Sequence, residues 1–205
     1  MQETKEISVY RKALREKIIN SAIAAFAKQG IRQVRMDDVA NELSISKRTL
    51  YEIFETKEVL LYECVKYYYN ERSALMEVKA KNCSNVMEIL LKAYKMKVEE
   101  FRQTNPQFYA DLAKYPKVAQ FLNNQNIQMR EKMQRFIQRG IKEGYFRSDV
   151  NYEIAAHVFD ALGEYVVDKQ IYRQYSIEDI FHNLIFVSLR GLCTENGIKA
   201  IDKMI

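Results

Sequence analysis

An all-α fold is what this sequence predicts, and three features carry the prediction. Its 205 residues include only 6 Gly and 2 Pro, the residues that punctuate strands and turns, so long helices with short connections are favoured. A hydrophobic content of 48% is enough to bury a core in one domain or two small ones. Apolar residues recur at three- and four-residue intervals, the period of a helix with one buried face.

The first helix is read from Arg11 to Gln29, where Leu14, Ile18, Ala22, Ala25 and Phe26 fall at helical spacing and Gly30 follows as a stop. Met36, Val39, Ala40 and Leu43 then lie at i, i+3, i+4 and i+7. Asp37 and Asp38 stand early in that segment, where the helix dipole favours negative charge. A turn at Ser44-Ile45-Ser46 comes next, with Ser46 placed to cap a third helix on which Leu50 and Phe54 share a face. After a break at Glu55-Thr56, a fourth helix begins at Lys57, with Thr56 as its cap.

Further helices are predicted over Val86 to Phe101, Pro106 to Ala113, Lys117 to Ile141, Tyr152 to Tyr172 and about Ile177 to Leu192, with breaks at Asn105-Pro106, Tyr115-Pro116 and Gly144. In the fourth of these, Ile154, Val158, Leu162, Tyr165 and Lys169 form a stripe bounded by Ala155, Phe159 and Val166. The last contains Leu184-Ile185-Phe186-Val187-Ser188-Leu189, apolar around nearly its whole circumference. Such a helix must be covered on two sides, either within one protomer or by its own core on one side and a second subunit on the other.

Two short helices across a tight turn, braced by a longer one, have the profile of a helix-turn-helix unit, although short helical hairpins also occur in proteins that never touch DNA. More specific are the residues themselves. Asp38-Val39-Ala40, Leu43-Ser44-Ile45-Ser46, Thr49-Leu50-Tyr51, Phe54, Lys57-Glu58 and Leu60 match in spacing the DNA-binding pattern of the TetR family, which the chain resembles over about its first sixty-five residues. Three positions depart from that pattern: Ser44 stands for the usual Gly of the turn, Ile53 for a His, and Arg35 for a Thr before the second helix.

The resemblance implies a helix-turn-helix DNA-binding domain over residues 1–65 and a larger helical ligand-binding and dimerisation domain over 66–205. It implies a dimeric transcriptional repressor released from a double-stranded operator by a small, largely apolar ligand. A helical interaction module without DNA affinity is the alternative. A recognition helix shows its N-terminal residues to the major groove. Lys47, Arg48 and Thr49 therefore become candidates for DNA contact, Arg48 for base readout, unless the two cations are merely a solvated face. Tyr51 in the family position offers its hydroxyl to a phosphate, the other reading being a core aromatic. Lys57 opens a helix whose N–H groups also attract an anion. Arg35, Ser46 and Thr56 complete the expected DNA-binding set.

In the second domain the resemblance implies an effector pocket, for which Tyr94, Phe101, Phe108, Phe121, Met129, Met133 and Phe159 are candidates because Met adapts and Tyr carries a polar tip. A two-fold packing of the last two helices would use Val158, Leu162, Tyr165, Leu184, Ile185, Phe186, Ser188 and Leu189.

The remaining features narrow the class of protein. A net charge of +5 suits a phosphate-bearing partner but is common elsewhere. Cys64, Cys83 and Cys193 are widely spaced, with only His157 and His182 as imidazole partners, so no metal, cofactor or disulfide is expected. No nucleophile, base and orienting group assemble, and no Gly-rich phosphate loop exists, so an enzyme is not expected. With no signal-like N-terminal segment and no run of about 18 apolar residues, a cytoplasmic protein without membrane contact is expected.

Overall fold

The computed structural model describes residues 2–112 and 114–203. It contains α1 (Gln2–Gln29), α2 (Met36–Glu42), α3 (Lys47–Ile53), α4 (Lys57–Lys81), α5 (Val86–Gln103), α6 (Pro106–Leu112), α7 (Pro116–Lys142), α8 (Tyr152–Asp168), α9 (Ile177–Ile180), α10 (Phe186–Arg190) and α11 (Glu195–Asp202). A 3-10 turn at Ile171–Arg173 follows α8, and a wide π turn at Phe181–Ile185 joins α9 to α10. Among the described residues there is no strand, only an isolated antiparallel bridge between Phe146 and Cys193.

Helix α1 starts nine residues before the apolar periodicity does, because Gln2 to Tyr10 contain neither Gly nor Pro to stop it. At its other end Gly30 takes φ +85° and its N–H donates to the Phe26 carbonyl at 2.9 Å, a left-handed cap that favours glycine. The predicted end of a helix at Ala113 lies outside the described residues. Residues 152–172 are not one helix: Gln170 turns left-handed at φ +53° and the 3-10 turn takes over. Helix α11, absent from the sequence reading, is capped by Thr194, whose hydroxyl accepts from Gly197 N–H at 3.3 Å. A side chain at Gly197 would overlap the Tyr145 carbonyl oxygen, so that glycine lets α11 lie against the 145–147 segment.

The chain divides into two compact units, residues 1–74 with 107–122 and residues 75–106 with 123–205. The core of the first contains Ile18, Phe26, Val39, Leu50, Phe54, Leu60 and Leu61, all sealed from solvent. Val118 is buried in this core, and Phe108, Leu112, Tyr115, Phe121 and Leu122 pack against it. Helix α6 and the start of α7 therefore belong to this unit, far in sequence from the boundary at residue 65 that the helix-turn-helix pattern suggested.

The second core gathers Val86, Met87, Phe146, Phe186, Cys193 and Ile201. Here one expectation is corrected. Phe186, assigned to a subunit interface because its whole helix reads as apolar, is 1% exposed and stacks on Tyr94 at 5.0 Å within its own protomer. The π turn rotates the faces of this helical run away from an ideal 3.6-residue period, so periodicity alone could not say which apolar positions turn inward.

Candidate nucleic-acid interface

The turn between α2 and α3 is closed by backbone bonds in the Schellman pattern, Ser44 N–H to Asn41 O at 3.0 Å and Ile45 N–H to Ala40 O at 3.0 Å. Ser44 sits at φ +53°, where a side chain is strained and glycine is not. Ser44→Gly should therefore stabilise the first unit by about 0.5–1 kcal/mol, part of the relief being offset by greater unfolded-state entropy. Thermal melting of the two proteins checks this, and a variant that melts lower would show that the Ser44 hydroxyl supplies more than the backbone strain removes.

Ser46 caps α3 as expected, accepting from Thr49 N–H at 3.0 Å, while its hydroxyl lies 2.8 Å from that of Thr49. With Leu50 buried at mid-helix and Phe54 buried at the C-cap, the apolar face of α3 is fixed on the core. Lys47, Arg48 and Tyr51 are left exposed on the other side. Arg15 lies over the Phe54 ring at 5.3 Å, adding a cation–π contact beneath α3.

Each basic residue of α3 already has an acidic partner. Lys47 Nζ meets Asp37 at 2.5 Å, and Arg48 Nε meets Glu52 at 2.8 Å across one helical turn. The hydrogen bond and charge of Asp37 push the Lys47 pKa up, and Glu52 does the same for Arg48, so both remain cations at neutral pH. Such exposed pairs are weak and exchange readily for a phosphate or a base edge. The Arg48–Glu52 pair has the i, i+4 spacing of an ion pair on a helix surface.

Lys57 begins α4, where Thr56 caps through its hydroxyl to Val59 N–H at 3.2 Å. The Lys57 ammonium is half-buried and donates to the Arg32 carbonyl at 3.5 Å. Burial pulls its pKa down, opposed by the charges of Asp111 and Asp38. Arg35 is exposed at the cap of α2, its N–H donating to Asp38 Oδ2 at 2.7 Å. The eight residues expected to meet DNA thus lie on, or immediately before, α2, α3 and α4 of the first unit. Arg32 and Asp111, which the sequence reading did not single out, stand beside Lys57.

Of the seven aromatic and Met residues expected around an effector, two belong to the first unit and five to the second. Phe108 and Phe121 lie in the first unit, where Phe121 stacks edge-on against Tyr62 and Tyr69, each at 5.8 Å. In the second unit Tyr94 is engaged with Phe181 and Phe186, and Lys97 lies 5.0 Å from the Phe101 ring centre. Phe159 is half-buried on α8, whereas Met129 and Met133 are exposed on α7. A surface cavity of about 560 Å³ in the second unit is lined by Gln134, Arg135, Gln138, Arg139 and Lys142, a polar and basic set.

Of the residues expected at a subunit interface, Val158 and Tyr165 are half-exposed, and Leu162, Leu184, Ile185, Ser188 and Leu189 are partly buried. The Ser188 hydroxyl donates to the Leu184 carbonyl at 2.9 Å. Ile154 and Val187 are exposed near them in sequence. All three cysteines are buried and unpaired, and burial pushes the Cys64 thiol up to about 12. Among the described residues no cluster of His, Cys, Asp or Glu could hold a metal, and no helix is long and apolar enough to cross a membrane.

Residues 18–64 match the family model of bacterial regulatory proteins of the tetR family. The HTH-type transcriptional repressor KstR2 of Mycobacterium tuberculosis is 26% identical over 146 residues, spanning 68% of this chain and 72% of that protein. Its solved structure superposes with a TM-score of 0.59 at 22% identity, over 88% of this chain and 95% of that one. A protein from Saccharomonospora viridis, described as a transcriptional regulator and solved in complex with choline, superposes at 0.70 with 19% identity over 90% of this chain and all of that one.

Proposed function

We propose that this chain, which belongs to the tetR family of bacterial regulatory proteins, is a homodimeric repressor that reads an operator through α3 and leaves it when a small ligand binds. As a DNA-binding transcriptional regulator it is not an enzyme. The observation that carries the proposal is a Ser46-capped helix showing Lys47, Arg48 and Tyr51 outward on a buried Leu50 and Phe54. Arg48 reads base edges, Lys47 and Thr49 flank it, and Tyr51 and Lys57 hold phosphates. Ser46 and Thr56 cap the two helices that meet DNA, and Arg35 adds a cation at the edge of α2.

A dimer pairs two such helices on half-sites about 34–36 Å apart. A ligand held by the second unit favours a dimer whose spacing no longer fits. Tyr94, Phe101, Met129, Met133 and Phe159 are the second unit's candidates for contact with a largely apolar ligand, and the choline bound by the Saccharomonospora viridis protein supports a small-molecule effector. As a regulator of transcription, the protein acts in the cytoplasm.

Two substitutions separate these roles. Lys57→Ala should weaken binding to all sequences about equally and reduce the slope of log affinity against log salt by roughly 1. Arg48→Ala should narrow the gap between operator and scrambled DNA by about 1–3 kcal/mol. Isotherms at several salt concentrations decide. An unchanged specificity ratio in Arg48→Ala, with collapse in Lys57→Ala, reverses the assignment.

A further inference from the structure

Among the described residues of the first unit one charged side chain is completely buried: the carboxylate of Asp111, on α6. Burying a carboxylate is costly unless cations and donors compensate it, and here two hydrogen-bond donors and an ion-paired guanidinium converge on a single oxygen. Asp111 Oδ1 meets Lys114 Nζ at 2.7 Å, Gln107 Nε2 at 3.2 Å and Arg32 Nε at 3.4 Å. Oδ2 is sealed from solvent with no hydrogen-bond partner among the described residues. Burial pushes its pKa up, but the bonds from Lys114 and Gln107 and the charges of Lys114 and Arg32 outweigh it, so the group stays ionised.

Arg32 is the link from this carboxylate to the DNA-facing residues. Its side chain is 65% exposed and is held through Nε, which leaves the two terminal nitrogens for an acceptor outside. Its carbonyl accepts from the Lys57 ammonium, and Lys57 itself lies in the field of Asp111. Two cations that would repel one another thus stand close together at the start of α4, in the field of the buried Asp111 and, for Lys57, also of Asp38.

We propose that Arg32 is a phosphate-contacting residue and that Asp111 is its positioning residue, holding Arg32 and Lys57 together as a two-cation clamp on the DNA backbone. The proposal rests on the helix-turn-helix reading. It adds a residue outside the matched 18–64 segment, because Asp111 comes to the site only through the packing of α6.

Simple electrostatics and positioning predict opposite results for Asp111→Asn. Removing a negative charge near DNA should tighten binding, whereas losing the anchor of Arg32 should weaken it. Titrations of labelled random-sequence duplex at several salt concentrations, with melting curves for each variant, read the difference. Arg32→Ala should weaken binding about tenfold at low salt and lower the salt slope by roughly 0.9, while Arg32→Lys keeps the slope. Asp111→Asn should weaken binding several-fold despite the higher net charge, and adding it to Arg32→Ala should change affinity by less than about twofold.

An unchanged salt slope in Arg32→Ala, or tighter binding by a folded Asp111→Asn, overturns the proposal while leaving the DNA-binding reading intact. Should Asp111→Asn fail to fold, the exposed Arg32 variants decide alone. A wild type without salt-dependent DNA binding would overturn the underlying reading, and this proposal with it.

Discussion

Phe54→Ala should destabilise the first unit by about 3–5 kcal/mol, the cost of removing a fully buried aromatic ring, and DNA binding should be lost with it. Phe54 is 1% exposed at the C-cap of α3, with its backbone N–H donating to the Leu50 carbonyl at 2.9 Å. It therefore fixes both the end of α3 and the tilt of the face that carries Arg48. The guanidinium of Arg15, which pairs with Glu63 of α4, also lies over this ring, so the cavity would loosen α1 and α4 as well. Thermal denaturation followed by helical circular dichroism measures the loss. A variant that melts within about a degree of wild type would mean that α3 is not held from beneath by this ring.

Val158→Glu should convert the proposed dimer to a folded monomer. Ile154, Val158 and Tyr165 are respectively 65%, 51% and 50% exposed on α8, an apolar row that an isolated soluble subunit rarely leaves open. A two-fold axis would bring this row against its copy, so one substitution places two unpaired carboxylates in the interface and raises the dissociation constant by at least about a hundredfold. The side chain faces outward in the protomer, so helicity should be retained. Sedimentation measures the mass; an intact, soluble dimer of the variant would remove Val158 from the interface. Phe186 is no longer the residue to test for assembly, because a charge there would report on folding of the second core.

How much of this was legible in the sequence depended on whether the cause was local. Ser46 and Thr56 as caps, Gly30 as a stop, and Leu50 and Phe54 as a buried pair follow from short-range chemistry, and each has the partner or burial its residue type predicts. The strain at Ser44 was implied by the departure from glycine. What sequence could not supply was long-range: Asp111 reaches Arg32 across 79 positions, and no periodicity announces a buried carboxylate. The same holds for Phe108 and Phe121, apolar residues in a segment read as effector domain, which pack with the helix-turn-helix core. Helix α11 has a capping signal at Thr194-Glu195, but it is only eight residues long and follows a longer apolar run, so periodicity alone does not separate it from the helix before it.

The proposed function requires that α3 confer sequence-dependent binding to DNA on a dimer. Quantitative binding of the wild-type protein to duplexes spanning its own upstream region, against scrambled duplexes of equal length and at several salt concentrations, tests it most directly. The account predicts an upstream segment bound roughly 10³-fold or more tightly than scrambled DNA, with a steep negative salt slope and two dimer-related half-sites. Equal affinity for every upstream and scrambled duplex would contradict sequence-dependent regulation from that region, and no salt-dependent binding to any duplex would contradict DNA binding altogether.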